Sequence, residues 1–177
     1  MGILRGEIPM NLPPETKIPP AFVMGSIEGV LCKTIKAYND QRGWLMEIYR
    51  KDELSAEFHA AMAYLSETLP GIARGPHEHR YQADYFAFVG PGEFCLYLWD
   101  IRTKSPTYGK LMKMPVGQSN RCTVVVPPGV VHAYKNVGDV PGWVINLPNQ
   151  LYAGEGRKEP VDEIRHEGDP SLPFSLD

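Results

Sequence analysis

Apolar and polar positions alternate with a period of two through much of this chain, the pattern of half-buried β-strands. Between residues 93 and 100, Phe94, Leu96 and Leu98 fall on one face and Cys95, Tyr97 and Trp99 on the other. Residues 83–89 predict a strand just before this one, and Gly90-Pro91-Gly92 between the two predicts a hairpin turn. Residues 43–50 alternate more loosely and also read as a strand. Thr123 to Val126 is a β-branched run that stops at Pro127-Pro128-Gly129, and residues 142–147 give one more strand signal. Residues 52–65 leave two readings open. Leu54, Phe58, Ala61 and Leu65 fit a helical stripe, while residues 60–64 fit a strand. Short strands with turns every ~8–12 residues predict an all-β sandwich or barrel.

The flanks differ from this body. Residues 1–30 carry Pro9, Pro13, Pro14, Pro19 and Pro20 and read as an extended arm. The tail after Tyr152 is charged and punctuated by proline. No repeat or linker is visible, and 177 residues suit a single domain with a core of its own. The expected division is an arm over residues 1–37, a body over 38–152 and a tail over 153–177. A net charge of −3 makes no electrostatic case for nucleic acid or an anionic membrane. Apolar runs fall short of the roughly 20 residues of a membrane helix. Met1-Gly2-Ile3-Leu4-Arg5-Gly6-Glu7 lacks the apolar core of a signal peptide. Cys32, Cys95 and Cys122 have no CxxC spacing, and the last two lie in strand-like runs that suggest buried thiols. The expected location is the cytoplasm.

The candidate chemistry lies in two segments. Gly75-Pro76-His77-Glu78-His79 is followed by Asp84, and Pro127-Pro128-Gly129 is followed by His132. Residues i and i+2 of a strand share a face, so His77 and His79 should project together. If that face lines a barrel interior, the chain holds a polar site inside an apolar shell.

These segments resemble the two motifs of the cupin superfamily, whose fold is a double-stranded β-helix, or jelly roll. His77, His79, Asp84 and Gly90 match the first motif. Pro127, Gly129, His132 and Asn136 match the second, with Arg121 where a glycine is usual. Within the superfamily, residues 38–170 more closely resemble the dTDP-4-dehydrorhamnose 3,5-epimerase family of nucleotide-sugar isomerases. Asp40-Gln41-Arg42-Gly43 with Glu47 is similar to that family's nucleotide-binding strand. Gly71-Ile72-Ala73-Arg74-Gly75-Pro76-His77 is similar to its GxxRGLH segment. Asp100-Ile101-Arg102 with Ser105-Pro106-Thr107-Tyr108-Gly109-Lys110 is similar to its DLRxxSPTxGK segment.

The resemblance implies a jelly roll with an N-terminal arm and a short C-terminal tail. It also implies an epimerase of carbohydrate biosynthesis acting on a nucleotide-linked keto-deoxysugar. Arg42 and Glu47 would contact the nucleotide, and Arg74 would hold the diphosphate, for which a bidentate guanidinium is suited. His77 would remove the proton alpha to the carbonyl, oriented by Asp169. The arm exchanges between subunits in that family, so a homodimer is expected.

Two departures stand out. The family places a lysine to stabilise the enolate oxygen where this chain has Asp84, and a tyrosine as proton donor where it has Ile145. An enolate needs a positive or hydrogen-bonding partner, so the family mechanism cannot run here unchanged. Tyr85, Tyr134 and Tyr152 are the tyrosines considered as substitutes.

His77, His79, Asp84 and His132 also form a three-histidine, one-carboxylate set of the kind common in cupins. Such donors suit Fe, Mn, Ni, Zn or Cu, and a Lewis-acidic metal could replace the lost lysine. The cofactor expectation is therefore none or one divalent metal. The alternative function is a metal-dependent cupin enzyme, an oxygenase or metal isomerase; a catalytically silent binding protein is a third. Each residue also has a plain structural role open to it. Asp84 could pair with Arg80, His132 and Arg74 could be structural, and Asp169 could be a turn residue. His59 and His166 could pack or face solvent, and Trp44, Trp99, Trp143 and Tyr97 could be core.

Overall fold

The structure, a computed structural model, describes residues 13–177. Pro9 and the stretch weighed as a signal peptide lie outside the described residues. The strands are β1 (Val23–Met24), β2 (Leu31–Thr34), β3 (Ala37–Asp40), β4 (Gly43–Met46), β5 (Tyr64–Thr68), β6 (Ala73–Glu78), β7 (Asp84–Phe88), β8 (Glu93–Asp100), β9 (Lys110–Gly117), β10 (Cys122–Val126), β11 (Val130–Asn136), β12 (Gly142–Asn146) and β13 (Ile164–Arg165). One sheet runs β1-β9-β8-β11-β6-β13 and the other β2-β10-β7-β12-β5, while β3 and β4 form a separate hairpin. All pairings of these strands are antiparallel except β1 with β9. The architecture is the expected jelly roll.

The period of two decides the layers. Phe94, Leu96 and Leu98 turn inward, where they meet Phe86, Phe88, Val124, Val126 and Val144 of the opposing sheet. Tyr97 and Trp99 turn outward, yet they are also buried. They pack with Val131 and Ala133 against Ile18 and Phe22 of the arm and Leu172, Phe174 and Leu176 of the tail. Strand pairing runs across both boundaries drawn from sequence. β1 and β2 join the sheets from within the arm, and β13 joins from within the tail.

Two expectations need correction, and one open choice is decided. Gly90-Pro91-Gly92 is not a hairpin turn, because β7 and β8 belong to different sheets. It is a corner between layers. Gly92 has φ +94°, and a Cβ there would lie 2.4 Å from the Gly142 Cα, so close approach of the sheets demands glycine. The helical stripe over 52–65 does not form: Lys51–Glu53 and Ala56–Phe58 are single 3-10 turns, and Tyr64 onward pairs with β12. Trp44 and Trp143 are not core, being 60% and 42% exposed. They line an outer groove with Leu65 and Ile145, and Arg121 lies over the Trp44 ring at 5.8 Å from its centroid.

The Ser105-Pro106-Thr107 segment has a structural task. Asp100, fully buried at the end of β8, accepts from Arg102 Nε at 2.8 Å and from the Ser105 and Thr107 hydroxyls at 2.6 Å each. These bonds fold the β8–β9 loop back on itself.

Candidate active site

The site is built on a flaw in a ladder. On β6 and β11, His77 pairs with His132 and Arg74 with Tyr134, so Gly75 and Pro76 oppose the single residue Ala133. This is a β-bulge, a device that re-aims side chains. Arg74 and His77 are three apart and would face opposite ways on a regular strand. The bulge brings both into one pocket. Gly75, at φ +83°, is required there because a Cβ would lie 2.4 Å from the His132 carbonyl oxygen. Glu78 then points away and meets His166 at 3.1 Å, while His79 returns to the site.

His77, His79, Asp84 and His132 converge as expected, with one donor atom from each within 4.8 Å of the others. Their backbones fix how the rings are protonated. Nδ1 of His132 faces the Val130 carbonyl at 3.1 Å, and Nδ1 of His79 faces the Asp162 carbonyl. A carbonyl only accepts, so both Nδ1 atoms carry protons and both Nε2 atoms turn to Asp84. These Nε2 atoms lie 3.1 Å (His79) and 3.0 Å (His132) from Asp84 Oδ2. Asp84 Oδ2 and His132 Nε2 nevertheless make no aligned hydrogen bond. The donors point at a shared centre rather than at each other, and both rings are oriented by second partners. That arrangement fits a divalent cation. Asp84 does not pair with Arg80; its other oxygen accepts from Gln82 and Asn146 at 2.9 and 2.8 Å.

The electrostatics separate the histidines. Burial, reinforced by the neighbouring His132 and His79, pushes His77 down to about 2 and keeps it neutral. Burial also opposes charge on His79, but the Asp84 carboxylate beside it prevails and pushes it up to about 9. For Asp84, burial is outweighed by His132 and His79, which hold the carboxyl well below its usual range.

Above this floor is a cavity of about 550 Å³, lined by Tyr64, Arg74, His77, Tyr134, Tyr152 and Arg157 among others. That size suits a small organic ligand. Arg74 is held at its wall, donating to Thr68 Oγ1 at 3.0 Å and to the Glu67 carbonyl at 2.7 Å.

The carboxylate beside His77 is not Asp169. Asp169 is exposed and binds Ser171, the turn role open to it. Glu167 takes its place: its Oε1 accepts from the Gly75 N–H at 2.8 Å and lies 3.8 Å from His77 Nδ1. That is too long for a hydrogen bond but near enough to stabilise the ring once protonated.

Ile145 lines the outer groove and cannot face the pocket; its neighbour Asn146 reaches the inner side. Tyr85 is also turned away, donating to the Ile48 carbonyl at 2.9 Å. Tyr64, which carried no motif, reaches the pocket and accepts from Asn146 Nδ2 at 2.8 Å. Burial, aided by the Asp84 charge, pushes its hydroxyl up to about 12. Arg42 and Glu47 are not in this pocket; they pair with Asp40 and Arg50 on exposed surface. His59 bonds the Leu54 carbonyl, a packing role.

Comparison with known proteins follows this geometry. The profile of the dTDP-4-dehydrorhamnose 3,5-epimerase family matches residues 25–156. The chain is 34% identical over 137 residues to the probable low-salt glycan biosynthesis epimerase Agl13 of Haloferax volcanii, covering 77% of this chain and 87% of that protein. It resembles the dTDP sugar isomerase of Desulfovibrio desulfuricans G20 with a TM-score of 0.73 and 27% identity, covering 84% of this chain and 91% of that one. It resembles NovW, a 4-keto-6-deoxy sugar epimerase from the novobiocin gene cluster of Streptomyces spheroides, with a TM-score of 0.68 and 26% identity, covering 93% and 84% of the two chains.

Proposed function

The chain belongs to the dTDP-4-dehydrorhamnose 3,5-epimerase family, and from that membership we propose that it is an isomerase that epimerises a nucleotide-linked keto-deoxysugar. The observation that carries the mechanism is His77. It lines the cavity and has Glu167 behind it. A neutral imidazole can take the proton alpha to the keto group, and Glu167 stabilises the imidazolium that results. Arg74, already oriented by Thr68 and Glu67, binds the diphosphate. Tyr64 hydrogen-bonds the developing enolate or returns the proton. A homodimer and a reducing, cytoplasmic setting complete the proposal; the second rests on three unpaired cysteines. Among the described residues no helix is long and apolar enough to cross a membrane.

The test is solvent exchange. A dTDP-4-keto-6-deoxyhexose incubated with the protein in heavy water should gain deuterium alpha to the carbonyl, and His77→Asn should stop it. In parallel, millimolar dTDP should raise the melting temperature, since a native-state ligand at 100 times its Kd adds about 2.7 kcal/mol. Absence of both effects, with dUDP and GDP also inert, would overturn the reading.

A second reading concerns the cofactor. The donor atoms of His79, Asp84 and His132 converge, with Asp84 Oδ2 and His132 Nε2 making no hydrogen bond, and His77 is a fourth donor. These residues would hold a divalent transition metal. When bound it would supply a Lewis acid for the keto oxygen, the task of the family's missing lysine. Asn146 and Gln82 would keep Asp84 oriented, and the two backbone carbonyls would keep the rings in place.

A further inference from the structure

We propose that Asp162 is a positioning residue that couples the C-terminal segment to the site by fixing the His79 ring. It acts through two separate groups. Its backbone carbonyl accepts the His79 Nδ1 proton. Its carboxylate accepts the backbone N–H groups of Arg80, Tyr81 and Gln82 at 2.9, 2.7 and 3.0 Å. Those residues form the turn that leaves β6 after His79 and enters β7 at Asp84. Gln82, at the end of the turn, donates to Asp84 at 2.9 Å. One residue therefore holds a ring of the cluster, the turn beside it and, through Gln82, the carboxylate.

The chemistry explains why this position is an acid. Three convergent backbone N–H groups form a small anion site, and ionised acceptors make the stronger hydrogen bonds. With its carboxylate occupied in this way, Asp162 serves neither as base nor as ligand. Its carbonyl can only accept, so the His79 ring is locked with an Nδ1–H toward Asp162 and Nε2 aimed at Asp84. The same segment continues into β13, which pairs with β6 at Ile164–Glu78 and Arg165–His77. Val161 and Glu163, on either side of Asp162, line the cavity. Docking of residues 161–165 thus shapes one wall of the pocket and aligns the histidines behind it. The inference rests on this pocket being the reaction site; the proton-exchange readout is independent of the metal reading, whereas the loss of turnover rests on it.

The experiment is NMR of protein labelled with 15N-histidine, with no substrate present. The wild type should show a downfield His79 Nδ1–H resonance protected from solvent exchange. Asp162→Ala leaves the backbone carbonyl in the chain but frees the segment, and should speed that exchange at least tenfold. Asp162→Asn keeps one acceptor oxygen and should restore part of the protection. Turnover of the keto sugar should fall 10- to 100-fold in Asp162→Ala with KM little changed, the usual scale for losing an orienting partner. If Asp162→Ala does not fold, Asp162→Asn decides: faster exchange of the His79 proton supports the proposal and unchanged exchange overturns it. Unchanged protection in a folded Asp162→Ala overturns it as well. An inactive wild type with a protected proton that Asp162→Ala exposes would count against the function and leave the positioning role standing.

Discussion

Tyr64 is the pocket tyrosine whose oxygen already accepts a bond, from Asn146. Its own proton is therefore free for a substrate atom, whereas Tyr134 shares its hydroxyl with Ser66 at 3.0 Å. Tyr64→Phe should lower kcat by roughly 10²–10⁴, the range for a positioned proton donor, while KM stays nearly level. Steady-state kinetics on the keto sugar decide this, and an unchanged kcat would return the role to Tyr134 or Tyr152. The metal reading has its own test at this scale. Protein purified without chelator should carry about one divalent ion per chain, as a closed set of donors implies, and His79→Ala and Asp84→Ala should each lose it. Metal-free protein with full proton exchange, unaffected by chelators, would discard the cation. Sequence found the convergent donors because HxH, Asp84 and the PxGxxH segment are short local motifs. It missed Glu167, Tyr64 and Asp162, which arrive from distant strands and the tail with no spacing to mark them. Ile145, where the family's tyrosine is missing, lies on the outer face of β12, so the strand itself offers no donor there.

At the scale of the element, the alternating pattern located most strands but not their partners. Both faces of β8 are apolar, so the pattern alone could not tell that one packs across the sandwich and the other under the arm and tail. Nor could it show that β7 and β8 part at Gly90-Pro91-Gly92, since a glycine-proline corner and a hairpin turn share composition. The Arg74–His77 bulge was equally hidden, and only the register exposes it. The β8–β9 loop was recognised as a family segment, and its physical content is Asp100. Burial raises that carboxyl, but hydrogen bonds from Arg102, Ser105 and Thr107 prevail and hold it below the usual range. A depressed carboxylate stabilises the fold above its unfolded pKa and loses that contribution as pH falls through the folded value. Asp100→Asn should therefore cost about 3–5 kcal/mol at pH 7, the scale of a broken buried ion pair. Thermal melts should show the gap to wild type narrowing below about pH 4. A gap that is constant with pH would remove the charge from the explanation.

For the whole molecule, the outer surface and the residues expected at the nucleotide point the same way. On the β3–β4 hairpin, Tyr38 and Leu45 share one face and are 52% and 62% exposed, while Trp44 on the other face is 60% exposed and shares a groove with Leu65, itself 58% exposed. Exposed apolar surface on both faces suits burial in an interface. Arg42 sits in the turn of the same hairpin, Glu47 directly follows it, and neither lines its own chain's cavity. If they contact the nucleotide, they do so in another copy's cavity, and two-fold symmetry makes that exchange mutual. The expected assembly is a homodimer with shared sites, and Trp44→Glu should shift it toward monomer. Complementation separates shared sites from mere pairing. Arg42→Ala and His77→Asn chains, each inactive alone, should regain about a quarter of wild-type activity when unfolded, mixed and refolded together. Random pairing makes half the dimers mixed, and each mixed dimer has one complete site. A monomer by light scattering at micromolar concentration, or a mixed dimer with no recovered activity, would place the nucleotide contacts elsewhere.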